Sequence, residues 1–288
     1  MHAVGIVGVG NMGGGMAANL LAQGWPVRVH DIDRTKVDAL RRLGAIACAS
    51  AAEVAQHVSV LIVCVVDADE SRDVLFGGGD AVDALHKGAA VMLCPTIAPE
   101  DTEQIAAQLA RHGIDTIDAP MSGGPARARD GSMSLMVACA ESVFETHRPL
   151  IEALSRKVFR IGDRVGDGAR TKLVNNLLAG INLVGAAEAM ALAQRLGLDL
   201  ETTLDVIEQS SGHSWIGADR MRRAIEGDYA PRAHMTLLAK DTRLAIEAAD
   251  AAGFEGPLGA VARDVFARAV DAGLAGLDDA ALLKLLSS

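Results

Sequence analysis

The chain has 288 residues, 50 % of them apolar and 22 % charged, which is enough for one large folded domain or two ordinary ones. Its formal net charge of −10 would repel phosphate backbones, which argues against a nucleic-acid partner. The longest apolar run, at 58–66, is too short to cross a bilayer, and no basic segment precedes an apolar one at the N-terminus, so we expect no membrane partner and no signal peptide.

The first half of the sequence alternates short apolar runs with helical patterns. Predicted strands are 3–9, 27–30, 60–66, 89–94, 114–119 and 134–140. Predicted helices are 12–23, 34–43, 51–56, 99–112 and 142–154. Several strands are apolar throughout, which is typical of a mostly parallel sheet covered on both faces. The pattern predicts a doubly wound α/β domain over 1–163.

The alternation of apolar runs and helical patterns ends near residue 162, at the Gly/Asp-rich segment IGDRVGDGA. The sequence after this break is almost entirely helical. Predicted helices are 168–195, 200–209, 214–226, 235–252, 257–272 and 278–286. We therefore expect a second, all-α domain over 164–288.

A glycine loop, GVGNMG, follows the first strand and opens the first helix. Gly8 would permit the tight turn, Gly10 would let the backbone approach a pyrophosphate, and Gly13 would allow the helix to lie close to the strand. The helix N-terminus, with Asn11 and Met12, would present N–H groups to phosphates. The motif in this context predicts a dinucleotide-binding loop rather than a plain glycine turn.

An acidic residue, Asp31, ends the second predicted strand. A carboxylate there would accept hydrogen bonds from the adenosine ribose and repel a 2′-phosphate, which favours NAD over NADP. Arg34 stands where NADP enzymes often place an arginine, but we interpret it as a solvated residue in the first turn of the next helix.

A second glycine-rich segment, DAPMSGGPARARDGSMSLMV, links two strands at 118–137. Backbone N–H groups of Gly123 and Gly124, with the Ser122 hydroxyl, would suit a carboxylate. By itself this stretch is more typical of an ordinary glycine-rich turn.

Lys172, Asn175 and Asn176 lie in the second turn of the long predicted helix. Lys172 and Asn176, four residues apart, share one helical face, and Asn175 lies close to it. An isolated helix lysine is usually solvated, but this one follows the break between the two predicted domains. A lysine amine can move the substrate proton when burial lowers its pKa, and an amide can orient it without adding charge.

These motifs recur together in one family. The patterns GxGxMGxxMAxNL at 8–20, DAPxSGG at 118–124, GxxxKxxxN at 168–176 and Lys-Asp at 240–241 have the order and spacing of the β-hydroxyacid dehydrogenases. The chain resembles 3-hydroxyisobutyrate dehydrogenases and their relatives over essentially its whole length. The resemblance implies a Rossmann-type NAD(P)-binding domain followed by a helical domain that supplies the catalytic lysine and the oligomer interface.

The resemblance implies a role for each matching residue. Lys172 would be the catalytic lysine and Asn176 its partner, with Asn175 as an alternative, and the loop 122–124 would hold the substrate carboxylate. Trp215 lies where relatives vary with substrate, although it and His213 are equally consistent with packing at an interface.

Further cofactor contacts are implied in the same way. The family pattern places Thr96 and Lys240 near the nicotinamide, and Val65 and Val66 where the backbone passes the cofactor. Cys94-Pro95 stand where Asp-Ser is common, so the local hydrogen bonding before Thr96 differs from the family pattern.

The predicted function is hydride transfer between NAD and the hydroxyl carbon of a small hydroxy acid such as 3-hydroxyisobutyrate. Two alternatives of the same family are a threonate- or glycerate-type dehydrogenase and a tartronate semialdehyde reductase. An alternative of another class is a non-catalytic NAD-binding scaffold. The apolar helical half favours a homodimer or homotetramer.

The cysteines and histidines indicate neither disulfides nor a metal. Four cysteines, at 48, 64, 94 and 139, form no C-x-x-C pair, which is typical of buried thiols in the cytoplasm. The eight histidines show no H-x-x-H spacing, so we expect no metal site.

Overall fold

The computed structural model describes residues 3–287, and the chain divides into two compact units, Met1–Lys172 and Leu173–Ser288. The first unit is an α/β domain and the second is helical, which confirms the predicted fold class. The predicted domain boundary at 163/164 precedes the long helix, whereas the two compact units divide inside that helix.

Strands of the first unit form one sheet. They are β1 (Val4–Val7), β2 (Val27–His30), β3 (Ile46–Ala47), β4 (Val60–Val63), β5 (Ala90–Leu93), β6 (Asp115–Asp118), β7 (Met121–Ser122), β8 (Ser134–Ala138) and β9 (Lys157–Gly162). Their order is β3-β2-β1-β4-β5-β6-β8-β7, with β9 paired to β8. Pairing is parallel from β3 to β6 and between β8 and β9, and antiparallel where β8 meets β6 and β7.

Helices connect these strands. They are α1 (Asn11–Ala22), α2 (Arg34–Arg41), α3 (Ala51–Ala55), α4 (Ala68–Phe76), α5 (Ala81–Ala84), α6 (Pro99–Arg111), α7 (Gly124–Asp130) and α8 (Glu141–Leu154). A ninth, α9 (Asp167–Arg195), begins in this unit and continues into the second. The sequence analysis did not predict β3, β7, β9, α4, α5 or α7.

Both faces of the sheet are covered, as the apolar strands predicted. On β1, Val4 and Ile6 belong to the core on one face, together with Met16 of α1. Val7 belongs to the core on the other face, which includes Val54 of α3. Alternate residues of one strand therefore enter two separate cores, and this explains why the strand carries no polar residue.

The second unit is built from helices around one core. They are the rest of α9 and α10 (Leu200–Glu208), α11 (Trp215–Glu226), α12 (Met235–Ala251), α13 (Gly259–Ala269), a π-helical turn (Val270–Leu274), a 3₁₀ turn (Asp279–Ala281) and α14 (Leu282–Ser287). Leu183, Met190 and Phe266 have no exposed surface in this core.

Helix α9 is, in the part of the chain that the structure describes, the one helix long and apolar enough to span a membrane by length and composition. The same test is passed by core helices of soluble proteins. Leu183, Ala187 and Met190 of this helix are completely buried in the core of the second unit, which accounts for its apolar character.

A buried carboxylate, Asp278, ties the C-terminal segment to the rest of the second unit. It accepts hydrogen bonds from the backbone N–H groups of Arg232 at 2.8 Å and of Ala233 and Ala280 at 3.1 Å. The Arg223 guanidinium lies 2.9 Å from Oδ1, the oxygen that also accepts from Ala280. Burial alone would raise the pKa of Asp278, but Arg223 and the three N–H groups lower it to about 2.

We predict that Asp278 makes the stability of the protein depend on acid pH. Because the pKa is lower in the folded chain, its contribution is present above about pH 4 and is lost as the pH falls toward 2. The loss should be about 2 kcal/mol of unfolding free energy, measured by urea unfolding at a series of pH values. Asp278→Asn should remove this part of the pH dependence, and the exposed Asp250→Asn serves as its control. Equal pH profiles for the native protein and Asp278→Asn would contradict the prediction.

Candidate functional site at the carboxyl edge of the sheet

One row of residues defines the position of the candidate site. Val7 pairs in register with His30 and with Val63, Val63 pairs with Leu93, and Leu93 pairs with Asp118. Each is the last residue of its strand, so β1, β2, β4, β5 and β6 end at the same level. Segments that follow these strands include Gly8–Gly13, Asp31, Val65-Val66 and Thr96, so most of the predicted cofactor contacts emerge along one edge. Ligands of open parallel sheets bind at this edge.

The three glycines of the first loop have different roles. Gly8 has a φ of +86°, and a Cβ there would lie 2.5 Å from the Cys64 carbonyl oxygen. A Cβ on Gly13 would lie 2.0 Å from the Gly8 carbonyl oxygen. Around Gly10, which caps α1, a Cβ would meet no atom within 4 Å. The fold therefore requires Gly8 and Gly13, whereas Gly10 borders open space of the kind that a pyrophosphate needs at a helix N-terminus.

The Asp31 carboxylate stabilises the glycine loop through a hydrogen bond with its backbone. One of its carboxylate oxygens accepts a hydrogen bond from Val9 N at 2.7 Å, and the other accepts one from Asp33 N at 2.8 Å. The residue is buried, and it follows directly after β2. Arg34 is exposed at the first position of α2, in the first turn where we expected it.

The predicted cofactor contacts that follow β4 and β5 differ in their exposure to solvent. Val66 is 49 % exposed, and its N–H donates to Glu70 Oε2 at 2.9 Å. Asp67 caps α4 by accepting a hydrogen bond from Glu70 N at 2.9 Å, and the Glu70 side chain reaches back to the N–H one residue before this cap. The spacing Asp-x-x-Glu in the sequence was a signal for this helix that the periodicity analysis missed. Thr96 is partly buried two residues after the buried Cys94.

The predicted substrate loop, Ser122 to Gly124, is more ordered than the sequence indicated. Ser122 ends β7, and Gly124 begins α7. Gly123 and Gly124 have φ values of +128° and +77°, conformations that favour glycine in succession. A Cβ on Gly124 would meet no atom within 4 Å, so the turn has open space beside it, as an anion-binding turn requires.

Close packing joins this turn to the cofactor loop. A Cβ on Gly15 of α1 would lie 2.9 Å from Ala128 Cβ and 3.1 Å from the Pro125 carbonyl oxygen, both in α7. Glycine at this position lets α7 lie directly against α1. The helix that follows the dinucleotide loop therefore also fixes the helix that follows the SGG turn.

Asp118, a residue that the sequence analysis did not assign, lies at one end of this row. It is the last residue of β6 and is 2 % exposed. One of its oxygens accepts hydrogen bonds from Gly166 N at 2.8 Å and Ala169 N at 3.1 Å, at the start of α9. Burial raises the pKa of Asp118 to about 6, although these backbone N–H groups and that of Gly168 oppose the shift.

Lys172 follows on α9, three residues after Ala169, and is 8 % exposed. This burial separates it from an ordinary solvated helix lysine, because lysine is rarely buried to this extent without a specific role or partner. Leu173 beside it is buried, whereas Val174 is 71 % exposed.

The two asparagines differ in the second unit. Asn176 is buried, and its amide nitrogen donates to Asp241 Oδ2 at 2.6 Å. Asn175 is exposed and donates to the Asn176 side-chain oxygen at 2.9 Å. Lys240 Nζ lies 3.1 Å from Asp241 Oδ1. Asp241 therefore contacts both Asn176 and Lys240, and it orients the Asn176 amide.

Trp215 also belongs to the second unit. It is 45 % exposed at the start of α11, beside an open groove of about 520 Å³. Residues from α10 and α11 and the turn between them line this groove: Glu208, Gln209, His213, Trp215, Ala218, Asp219, Arg222 and Arg223. Within residues 3–287, no group of three or more His, Cys, Asp or Glu side chains is arranged to hold a metal ion.

Two family models match almost the whole chain. Residues 3–162 match the NAD-binding domain of 6-phosphogluconate dehydrogenase, and residues 166–286 match the NAD-binding domain of NADP-dependent 3-hydroxyisobutyrate dehydrogenase. The chain is similar to L-threonate dehydrogenase of Escherichia coli O6:H1, with 38 % identity over 99 % of this chain and 94 % of the relative.

Two solved structures are also similar to this chain over almost its whole length. A 3-hydroxyisobutyrate dehydrogenase from Salmonella typhimurium has a TM-score of 0.94 and 38 % identity, and the match covers 99 % of this chain and 100 % of the other. A protein described as Psf3 in complex with NADP+ and 2-OPP has a TM-score of 0.92 and 30 % identity over 99 % and 100 % of the two chains.

The different roles of the glycines yield a matched pair of variants. Gly10→Ala should leave the thermal stability of the cofactor-free protein unchanged but weaken NAD+ binding about tenfold or more, because the methyl group enters the open space beside the loop. Gly13→Ala should lower the melting temperature without any cofactor, because its Cβ would meet the Gly8 carbonyl. Thermal melts and calorimetric titration with NAD+ measure both effects. Normal NAD+ binding by Gly10→Ala would place the cofactor elsewhere.

Proposed function

We infer the activity of this chain from its family: it belongs to the β-hydroxyacid dehydrogenases, and we propose that it oxidises a small hydroxy acid with NAD. The observation that carries the proposal is a buried lysine, Lys172, on a helix whose start is hydrogen-bonded to the strand edge where the glycine loop also lies. A non-catalytic scaffold would have no use for burying an amine there.

The chain's own residues fit the cofactor. Gly10 leaves room for a pyrophosphate at the start of α1, and Asp31 supplies a carboxylate after β2. When bound, the nicotinamide accepts or returns the hydride. Val65, Val66, Thr96 and Lys240 are proposed to contact the cofactor, as the family pattern implies.

Lys172 is proposed to move the proton. During oxidation its neutral amine takes the proton from the substrate hydroxyl, and during reduction its ammonium returns that proton to the carbonyl oxygen. Asn176 is the amide that we propose as its partner, because it is buried and held by Asp241, whereas Asn175 is exposed. Ser122, Gly123 and Gly124 are proposed to hold the substrate carboxylate.

NAD is the proposed cofactor in preference to NADP. Asp31 places a carboxylate after β2, where the negative charge disfavours a 2′-phosphate. A relative of the same fold is in complex with NADP+, so the preference is proposed from Asp31 and not from the fold.

The substrate is proposed to be an acid of the L-threonate type, because the chain is similar over nearly its whole length to an L-threonate dehydrogenase. 3-Hydroxyisobutyrate is a second candidate, favoured by the name of the Salmonella typhimurium structure. The cytoplasmic location, the homodimeric or homotetrameric state and the substrate role of Trp215 stay predictions from the sequence.

A substrate panel tests this function. Purified protein is mixed with NAD+ or NADP+ at alkaline pH and, in turn, with L-threonate, glycerate and 3-hydroxyisobutyrate, and reduced cofactor is followed by its absorbance. Tartronate semialdehyde with NADH tests the reductase alternative. We expect the highest kcat/KM with L-threonate and NAD+. A higher value with 3-hydroxyisobutyrate would transfer the assignment to the second candidate, and no turnover with any acid would favour the scaffold.

Lys172→Ala should lower kcat by about 10²- to 10⁴-fold, the usual contribution of a general acid or base. NAD+ affinity should change little, because the proposed cofactor loop lies in a different segment. The matched control is Lys87→Ala, which removes an exposed lysine from the same unit. Steady-state kinetics of the folded variants measures kcat, and titration with NAD+ measures the cofactor affinity. If Lys172→Ala turned over like Lys87→Ala, another group would be the acid and base.

A further inference from the structure

We propose that Asp118 is a positioning residue of the dehydrogenase, because it anchors the start of helix α9 to the sheet and thereby sets where Lys172 lies. The proposal rests on the proposed function and adds to it a residue that does not itself react. It concerns the carboxylate that opens the motif DAPxSGG, at the end of β6 and four residues before the SGG turn.

The contacts of Asp118 join segments far apart in sequence. Its carboxylate accepts hydrogen bonds from the backbone of Gly166 and Ala169, 48 and 51 residues further along the chain. Both belong to the first turn of α9 or its approach, where the N–H groups have no partner within the helix. A negative charge at this end also complements the helix dipole.

Two glycines beside these N–H groups allow the backbone to approach the Asp118 carboxylate. Gly166 has a φ of +99°, which a residue with a side chain rarely adopts. A Cβ on Gly168 would lie 2.9 Å from the carboxyl carbon and from both oxygens of Asp118. The segment Gly166-Asp167-Gly168 can therefore approach Asp118 only because two of its residues are glycines.

Lys172 depends on this anchor through the geometry of the helix. It follows Ala169 by three residues, less than one turn of an α-helix, so a shift or rotation of the first turn moves Lys172 with it. Lys172 is also buried, which limits the rotamers by which its side chain could compensate. A misplacement of about 1 Å at a reacting group can cost roughly 10²-fold in rate.

Burial of a carboxylate is a costly way to cap a helix. Desolvation penalises the charged form of Asp118, whereas an exposed Ser, Thr or Asp would satisfy N–H groups at a smaller cost. A buried cap has the advantage that its position is fixed by the strand that carries it. Here that strand is β6, which is paired in register with β5.

The test compares Asp118→Ala, Asp118→Asn and Asp167→Asn. Asp167 is the first residue of α9, and its carboxylate pairs with the Arg164 and Arg170 guanidinium groups, so its variant is the matched control. We expect Asp118→Ala to lower kcat about 10²-fold with little change in KM for the acid or in NAD+ affinity. Asp118→Asn keeps one acceptor oxygen and should restore part of kcat, and Asp167→Asn should retain the native value.

A second readout does not depend on activity. Hydrogen–deuterium exchange of the peptide that contains residues 166–172 should be faster in Asp118→Ala than in the native protein, and less so in Asp118→Asn. If Asp118→Ala does not fold, both measurements are made on Asp118→Asn. This variant should show a loss of kcat and a rise in exchange relative to the native protein, each smaller than the change expected for Asp118→Ala.

The outcomes separate this proposal from the proposed function. Native kcat in the folded Asp118 variants, unchanged exchange, or a parallel loss of NAD+ affinity and kcat would overturn the positioning role while leaving the dehydrogenase assignment intact. A native protein without activity on any acid would refute the proposed function. It would also remove any catalytic role for Asp118, even if the exchange confirmed the anchor.

Discussion

The common level at which five parallel strands end is the constraint on which the candidate site depends. Register pairing runs from His30 through Val7, Val63 and Leu93 to Asp118. Because parallel strands need a crossover between each pair, their carboxyl ends face the same edge, and segments remote in sequence meet there. The glycine loop, Asp31 and the carboxylate that holds the start of α9 all lie at this edge.

Two buried carboxylates secure the loops at this edge. Asp31 accepts hydrogen bonds from the backbone on both sides of the first crossover, and Asp118 accepts them from the start of α9. Each satisfies backbone N–H groups that would otherwise be left without partners in a buried position. The loops are thus held by hydrogen bonds that their backbone N–H groups donate to carboxylates at or just after the strand ends.

Long periodic elements were predictable, and elements held by tertiary contacts were not. The predicted helix 168–195 is observed as Asp167–Arg195, because its apolar residues supply the core of the second unit. Helix α7 contains Gly-Pro at its start and three charged residues, so its pattern did not indicate a helix. It is held by contact with α1 at Gly15, which no local signal reveals. Strand β9 carries Lys and Arg beside apolar residues, and its ladder with β8 places it in the sheet.

The sequence by itself determined the α/β-then-helical fold class and the family. It also placed the glycine loop before the first helix and Lys172 near the start of the long helix, since these depend on local patterns and on motif order. Only the tertiary structure distinguished Asn176, which is buried against Asp241, from Asn175, which is exposed. It also revealed Asp118 as the partner of the segment Gly166-Asp167-Gly168. The physical reason is that burial and hydrogen bonding between residues 48 or more positions apart are properties of the folded chain, and a one-dimensional pattern carries no record of them.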